Sequence, residues 1–169
     1  MRSGKADFSL AAARSSAPEL QTELFCEDGF HLVCRKDNPL SRRRQLTLAD
    51  LAGEPFIHLA RSSSVRQHIE TAIHPARMNR VMELDQLSTV AGMVRAGLGI
   101  SIVPSLTLFH FRAPELVTRP LDIPGLRRQI FVIFRADRSL SIAARTLLDF
   151  LLQHRPADAA PRKSSVRRR

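Results

Sequence analysis

An α/β fold is what this 169-residue sequence predicts, and three observations carry the prediction. Short apolar runs of strand length recur along the chain, segments of helical apolar spacing stand between them, and prolines and glycines punctuate the joins. The strand runs are residues 31–35 (HLVCR), 56–60 (FIHLA) and 129–136 (QIFVIFRA), the last rich in β-branched and aromatic side chains. A fourth, residues 100–103, is stopped by Pro104.

The helices follow in order. Thr47 can cap a short turn with Asp50 three residues on, and Gly53 suits a left-handed stop. Val65, Ile69, Ala72 and Ile73 recur at helical spacing behind Ser62, Ser63 and Ser64, which offer N-caps. Leu87, Val90, Ala91, Val94 and Leu98 make a second stripe that Ser88 or Asp85 can cap. Ser141 opens a last helix, whose stripe of Ile142, Ala143, Leu147, Phe150 and Leu151 is expected to cover a sheet face before Pro156 closes it. Gly97 suits the residue after the second stripe, and Gly99 a tight turn or close backbone packing.

Composition narrows the class. A hydrophobic content of 44% supplies a sizeable core. No run of eighteen apolar residues and no apolar segment behind the first charges can be read, so the expected address is the cytoplasm. Cys26 and Cys34 lack partners at metal-ligand spacing and read as small buried apolar residues, without a metal or other cofactor. The net charge of +10 is concentrated at the end: residues 155–169 hold six basic side chains and one Asp, half of the total. Such a tail is expected to be disordered. It reads either as a solvated terminus or as an electrostatic contact to nucleic acid, and the lack of interleaved aromatics favours the first.

For chemistry, the informative pattern is a strand, then Arg61-Ser62-Ser63-Ser64, then a helix opening near Val65 or Arg66. Free helix-start N–H groups, hydroxyls and the positive end of a macrodipole make an anion site, and Arg66 can add a charge-assisted hydrogen bond. The same serines can equally serve as caps alone. Residues 97–104 lack both the Lys-Ser/Thr of a phosphate loop and a dinucleotide fingerprint. The six histidines are scattered, and no nucleophile elbow, carboxylate pair or metal spacing supports an enzyme.

Four segments in order carry a family resemblance. Residues 2–10 (RSGKADFSL) look like an L-x-x-G-x-x-D passage. Residues 31–35 are followed by Asn38-Pro39-Leu40 where the family has His-Pro-Leu. Residues 48–57 (LADLAGEPFI) match L-x-D-L-x-x-x-P-x-I, and residues 94–104 read VRAGLGISIVP. Together they resemble the C-terminal effector-binding region of LysR-type transcriptional regulators, over about residues 1–155.

The resemblance implies a periplasmic-binding-protein-like (type 2) fold of two α/β lobes, with a small anionic effector in the cleft between them. The first lobe would be residues 1–23 with 129–154, and the second residues 24–128. Effector contacts carried over are Ser62, Ser63, Ser64, Val65 and Arg66, then Gln86, Leu87 and Ser88, with Ala12 from the first lobe. Family members begin with a helix-turn-helix, a linker helix and the opening strands of the first lobe. The sequence is therefore expected to be N-terminally truncated, unable to read promoter DNA by itself, and to have an incomplete first lobe whose strands near Asp7 and at residues 129–136 lack a partner between them. A homodimer, or pairing with a full-length relative, is the expected assembly. The competing readings are a nucleic-acid-binding protein acting through its basic tail and a fragment without function.

Overall fold

The computed structural model describes residues 6–156. The basic tail beyond Pro156, with its expected disorder and charge role, lies outside them. These residues divide into two units, one of residues 6–28 with 129–156 and one of Gly29–Arg128.

The second unit is an α/β/α sandwich. Strand β3 (Phe30–Arg35) lies between β6 (Ser101–Pro104) and β7 (Leu116–Leu121), antiparallel to both. Strands β4 (Pro55–Leu59) and β5 (Asn79–Leu84) pair in parallel, and Ile100 bridges β4 to the start of β6. The bridge is bonded through Ile57 N–H to the Ile100 carbonyl at 2.9 Å and Ile100 N–H to the Pro55 carbonyl at 2.8 Å.

Alternation along each strand sends its apolar side chains to opposite faces. Leu32, Cys34, Phe56 and Ile102 pack with Leu51 of helix α1 (Leu48–Ala52) and with Ile69 and Ile73 of helix α2 (Ser64–Ile73). Val33, Ile57, Leu59 and Val103 pack on the other face with Val90, Ala91 and Val94 of helix α3 (Leu87–Arg95).

Local signals act as their chemistry dictates. Thr47 and Asp50 form a reciprocal capping box at the start of α1. Asn38 accepts from Leu40 N–H at 2.8 Å, capping the turn Pro39–Arg42, and donates to Glu54 at 3.0 Å. Gly97 is left-handed at φ 83°, whereas Gly53 is right-handed at φ −81°. No left-handed residue is needed there, because Pro55 restricts Glu54 and opens β4 directly. Gly99 permits close packing: a Cβ there would collide with the Pro55 carbonyl oxygen.

In the first unit, β8 (Arg128–Arg135) lies between β1 (Phe8–Ala11) and β2 (Leu20–Asp28). The strands near Asp7 and at residues 129–136, expected to lack a partner between them, instead pair directly with each other: β1 runs antiparallel to β8, with Phe8 opposite Phe134 and Ala11 opposite Phe131. Residues 24–28, expected in the second lobe, continue β2 in this unit, because the strand is unbroken from Leu20.

Helix α4 (Ile142–Gln153) is capped by Ser141, which accepts from Ala144 N–H at 3.2 Å. Its buried stripe is not the expected one. Leu148 is buried, with Leu151 and Leu152 beside it against Val132 and Cys26, while Ile142, Leu147 and Phe150 are exposed. Five of the six residues 147–152 are apolar, Asp149 being the exception, which leaves more than one possible face, and packing chooses the one centred on Leu148. Cys26 and Cys34 are fully buried and form no disulfide. Burial pushes the Cys34 thiol up to about 11, with Glu54 adding to the effect.

Candidate functional site

Parallel pairing of β4 and β5 sets the geometry of the site. Each strand runs into a helix on its own side of the sheet, so both helices begin at the same edge, beyond Leu59 and Leu84. The Ala60 N–H donates to the Leu84 carbonyl at 2.9 Å, tying the two strand-to-helix connections together. The carboxyl edge of parallel strands is the usual ligand position in α/β sheets.

At α2, Ser63 occupies the cap position with extended backbone (φ −70°, ψ 125°), but its hydroxyl makes no capping bond. The Gln67 N–H is the first to close onto the Ser63 carbonyl, at 3.1 Å, so the N–H groups of Ser64, Val65 and Arg66 precede the intrahelical ladder. Ser62 and Ser64 are exposed, and Val65 is half-buried in the core, offering its backbone but not its side chain. At α3, Gln86 is the cap, again without a side-chain bond, and Val90 N–H reaches its carbonyl at 3.0 Å. Gln86 and Ser88 are exposed, while Leu87 packs inward. Seven of the nine expected residues therefore gather as two uncapped helix starts: Ser62, Ser63, Ser64, Val65, Gln86, Leu87 and Ser88.

Arg66 stands apart from them. Its side chain is 5% exposed and points beneath the helix. There Nε donates to Glu70 at 2.7 Å, and Nη1 donates to Glu83 at 2.5 Å and to the Leu59 carbonyl at 3.2 Å. Burial opposes its charge, but the bonds to Glu70 and Glu83 outweigh that and raise its pKa. Arg66 thus braces α2 against β4 and β5 and contributes its backbone N–H to the helix start. Ala12 follows β1 in the first unit, half-buried beside the cluster of Cys26, Val132 and Leu148.

Residues missed by sequence reasoning surround Arg66: Arg61, His58, His74, Arg77 and Arg80 line a cavity of about 630 Å³. They come from four separate segments, so no local spacing links them. His58 is buried, its ring tilted against that of Phe56 with centroids 4.5 Å apart, and burial followed by the Arg66 charge lowers its pKa to about 4. Among the described residues, no group of three His, Cys, Asp or Glu side chains can hold a metal ion, and no helix is long and apolar enough to cross a membrane.

Comparison with known proteins fits this geometry. The HTH-type transcriptional regulator YbhD of Escherichia coli K12 is 35% identical over 125 residues, 73% of this chain and 39% of its own length. The chain spans about half the length of the curated relatives it matches. Among solved structures, the CcmR regulatory domain of Synechocystis PCC6803 in complex with 2-PG superposes with a TM-score of 0.78 at 24% identity, over 95% of this chain and 78% of that one. The effector binding domain of QuiR in complex with shikimate gives 0.76 at 18%, over 91% and 74%. These likenesses establish the periplasmic-binding-protein-like type 2 fold. The family model of the LysR substrate binding domain matches residues 1–156, and the chain belongs to that family, as the effector-binding domain of a LysR-type regulator.

Proposed function

We propose that this domain senses a small carboxylate, which it takes at the paired helix starts of α2 and α3, and that it acts by binding rather than by catalysis. The observation carrying the proposal is the juxtaposition of two uncapped helix N-termini at one sheet edge, joined through Ala60 and Leu84. Their N–H groups and partial positive charge favour an anion, and the hydroxyls of Ser62, Ser64 and Ser88 with the Gln86 amide supply orientation. The CcmR and QuiR domains, whose fold this chain shares, were solved with 2-PG and shikimate. Aromatic, amino and sugar acids all satisfy the same chemistry. In the whole regulator, working in the cytoplasm on DNA, the effector would shift an oligomer between two geometries by binding one better than the other.

A panel of small carboxylic acids and their neutral amides, screened by thermal shift and followed by calorimetry, tests the proposal. At least one acid raises the melting temperature and its amide does not. Ser64→Asp abolishes this response while leaving the free domain as stable or slightly more so, because an acidic residue suits the first turn of a helix. Equal responses to acid and amide, or unchanged binding in Ser64→Asp, would falsify the helix-start site.

A further inference from the structure

The cavity below α2 is separate from the helix starts, since none of Ser62, Ser63, Ser64, Gln86, Leu87 or Ser88 lines it. It is bounded by the inner stripe of α2 (Arg66, Glu70, Ile73), by His58 of β4, by residues 74–78 and by Arg80 of β5. Its volume, about 630 Å³, is that of a small-molecule pocket. Four guanidinium groups against one lining carboxylate make it strongly positive.

The pairing pattern shows which of those charges are already neutralised. Arg66 is satisfied by Glu70 and Glu83, and Glu83 also accepts from Arg80 at 3.3 Å. The side chains of Arg61 and Arg77 have no carboxylate or carbonyl partner among the described residues, and both are exposed at the cavity. His58, 6% exposed, lines the cavity without a hydrogen-bond partner among those residues. Neutral at physiological pH, its ring offers one donor and one acceptor and can exchange them by tautomerisation. Unpaired guanidinium forks over a buried neutral imidazole suit an oxyanion that takes charge-assisted bonds from the arginines and a neutral one from the histidine.

We infer that this cavity is a second ligand site, taking a small doubly charged oxyanion, either a phosphate group or a dicarboxylate, through Arg61, Arg77 and His58. Two unpaired cations set the charge of the ligand, and the cavity has room for a metabolite attached to it.

The ring signals of His58 and His74 in NMR spectra of the whole chain report on it directly. Inorganic phosphate and succinate are titrated at fixed ionic strength, with acetate and chloride as singly charged controls. Saturable shifts of both rings with phosphate or succinate are expected, and whichever of the two binds names the class. In Arg61→Gln/Arg77→Gln, two exposed positions whose change leaves the core intact, affinity falls by about tenfold or more. Ser64→Asp leaves it unchanged, so this site and the helix-start site succeed or fail separately. Failure to saturate, equal shifts with acetate or chloride, or undiminished binding in the double variant overturns the inference. So does the same shift on raising protein concentration alone, which would make the face a contact between copies.

Discussion

Three residues of the second unit act on its stability in ways that can be measured singly. His58 is buried with its pKa lowered from 6.5 to about 4, first by desolvation and then by Arg66. The unfolded chain binds a proton near pH 6.5 that the folded chain refuses until about pH 4, so stability is complete above the first value and declines as pH falls toward the second. The loss is about 3 kcal/mol if the whole shift is expressed. Urea denaturation between pH 7 and 4 should show this slope, and His58→Asn should flatten it; equal slopes in both proteins would show that other groups govern the acid limb. Arg66→Met leaves Glu70 and Glu83 facing each other without their shared cation. Because both carboxylates reach water, the expected cost is about 2 kcal/mol, below that of a fully buried pair. Gly99→Ala drives a methyl into the Pro55 carbonyl and must open the β4–Ile100 bridge, so a loss of about 3 kcal/mol or failure to fold is expected. A stable Gly99→Ala protein with unchanged denaturation would mean that the backbone there shifts freely.

At the level of elements, two helix starts with similar sequence signals behave differently. Thr47 accepts from Asp50 N–H and receives the Asp50 carboxylate on its own N–H and hydroxyl, so Thr47→Ala should cost about 1 kcal/mol. Ser63 holds the equivalent position at α2 without a side-chain bond, so Ser63→Ala should be nearly neutral for stability. Chemical denaturation of both variants checks the contrast, and a large cost at Ser63 would show that its hydroxyl caps the helix after all. Sequence placed these helices because apolar spacing is local, and its cap readings hold at Thr47 and Ser141 but not at the serines before α2 or at Asp85 and Ser88 of α3, where Gln86 takes the cap position. It also found β3, β4, β6 and β8, whose runs are apolar because consecutive side chains along them are buried. It missed β5 (NRVMEL), a sheet-edge strand with three exposed positions in a row, where neither an apolar run nor clean alternation survives. It missed β7 (LVTRPL), where Pro120 argues against a strand but is tolerated at the edge of its three-stranded sheet. Gathering of the helix starts was legible only through the family resemblance, because it depends on the parallel β4–β5 pairing. The cavity around Arg66 was not legible at all, since its lining comes from two strands, a helix and the connections between them, brought to one face by folding.

Across the whole molecule, the two units are built to different strengths. Gly29–Arg128 is one continuous stretch whose sheet is covered on both faces, and Val33, Ile57 and Val103 are fully buried between helices. The other unit joins two stretches a hundred residues apart in sequence, and closing that separation costs entropy before β1 or β2 can pair with β8. Among the described residues, its apolar cluster rests on Leu148 of α4, while Ile142, Leu147 and Phe150 of the same helix remain exposed. Local opening should therefore require less free energy in β1, β2 and β8 than in β3, β4 and β6. Native-state hydrogen exchange resolved by residue tests this ordering. Amides of Val33, Ile57 and Val103 are expected to exchange slowest, at the rate of global unfolding of their unit. Those of Leu10 and Val132, although paired in a sheet, should exchange through a separate and more frequent opening. Identical protection in the two sets would show instead that both units unfold as one cooperative body, with the exposed face of α4 contributing nothing to the difference.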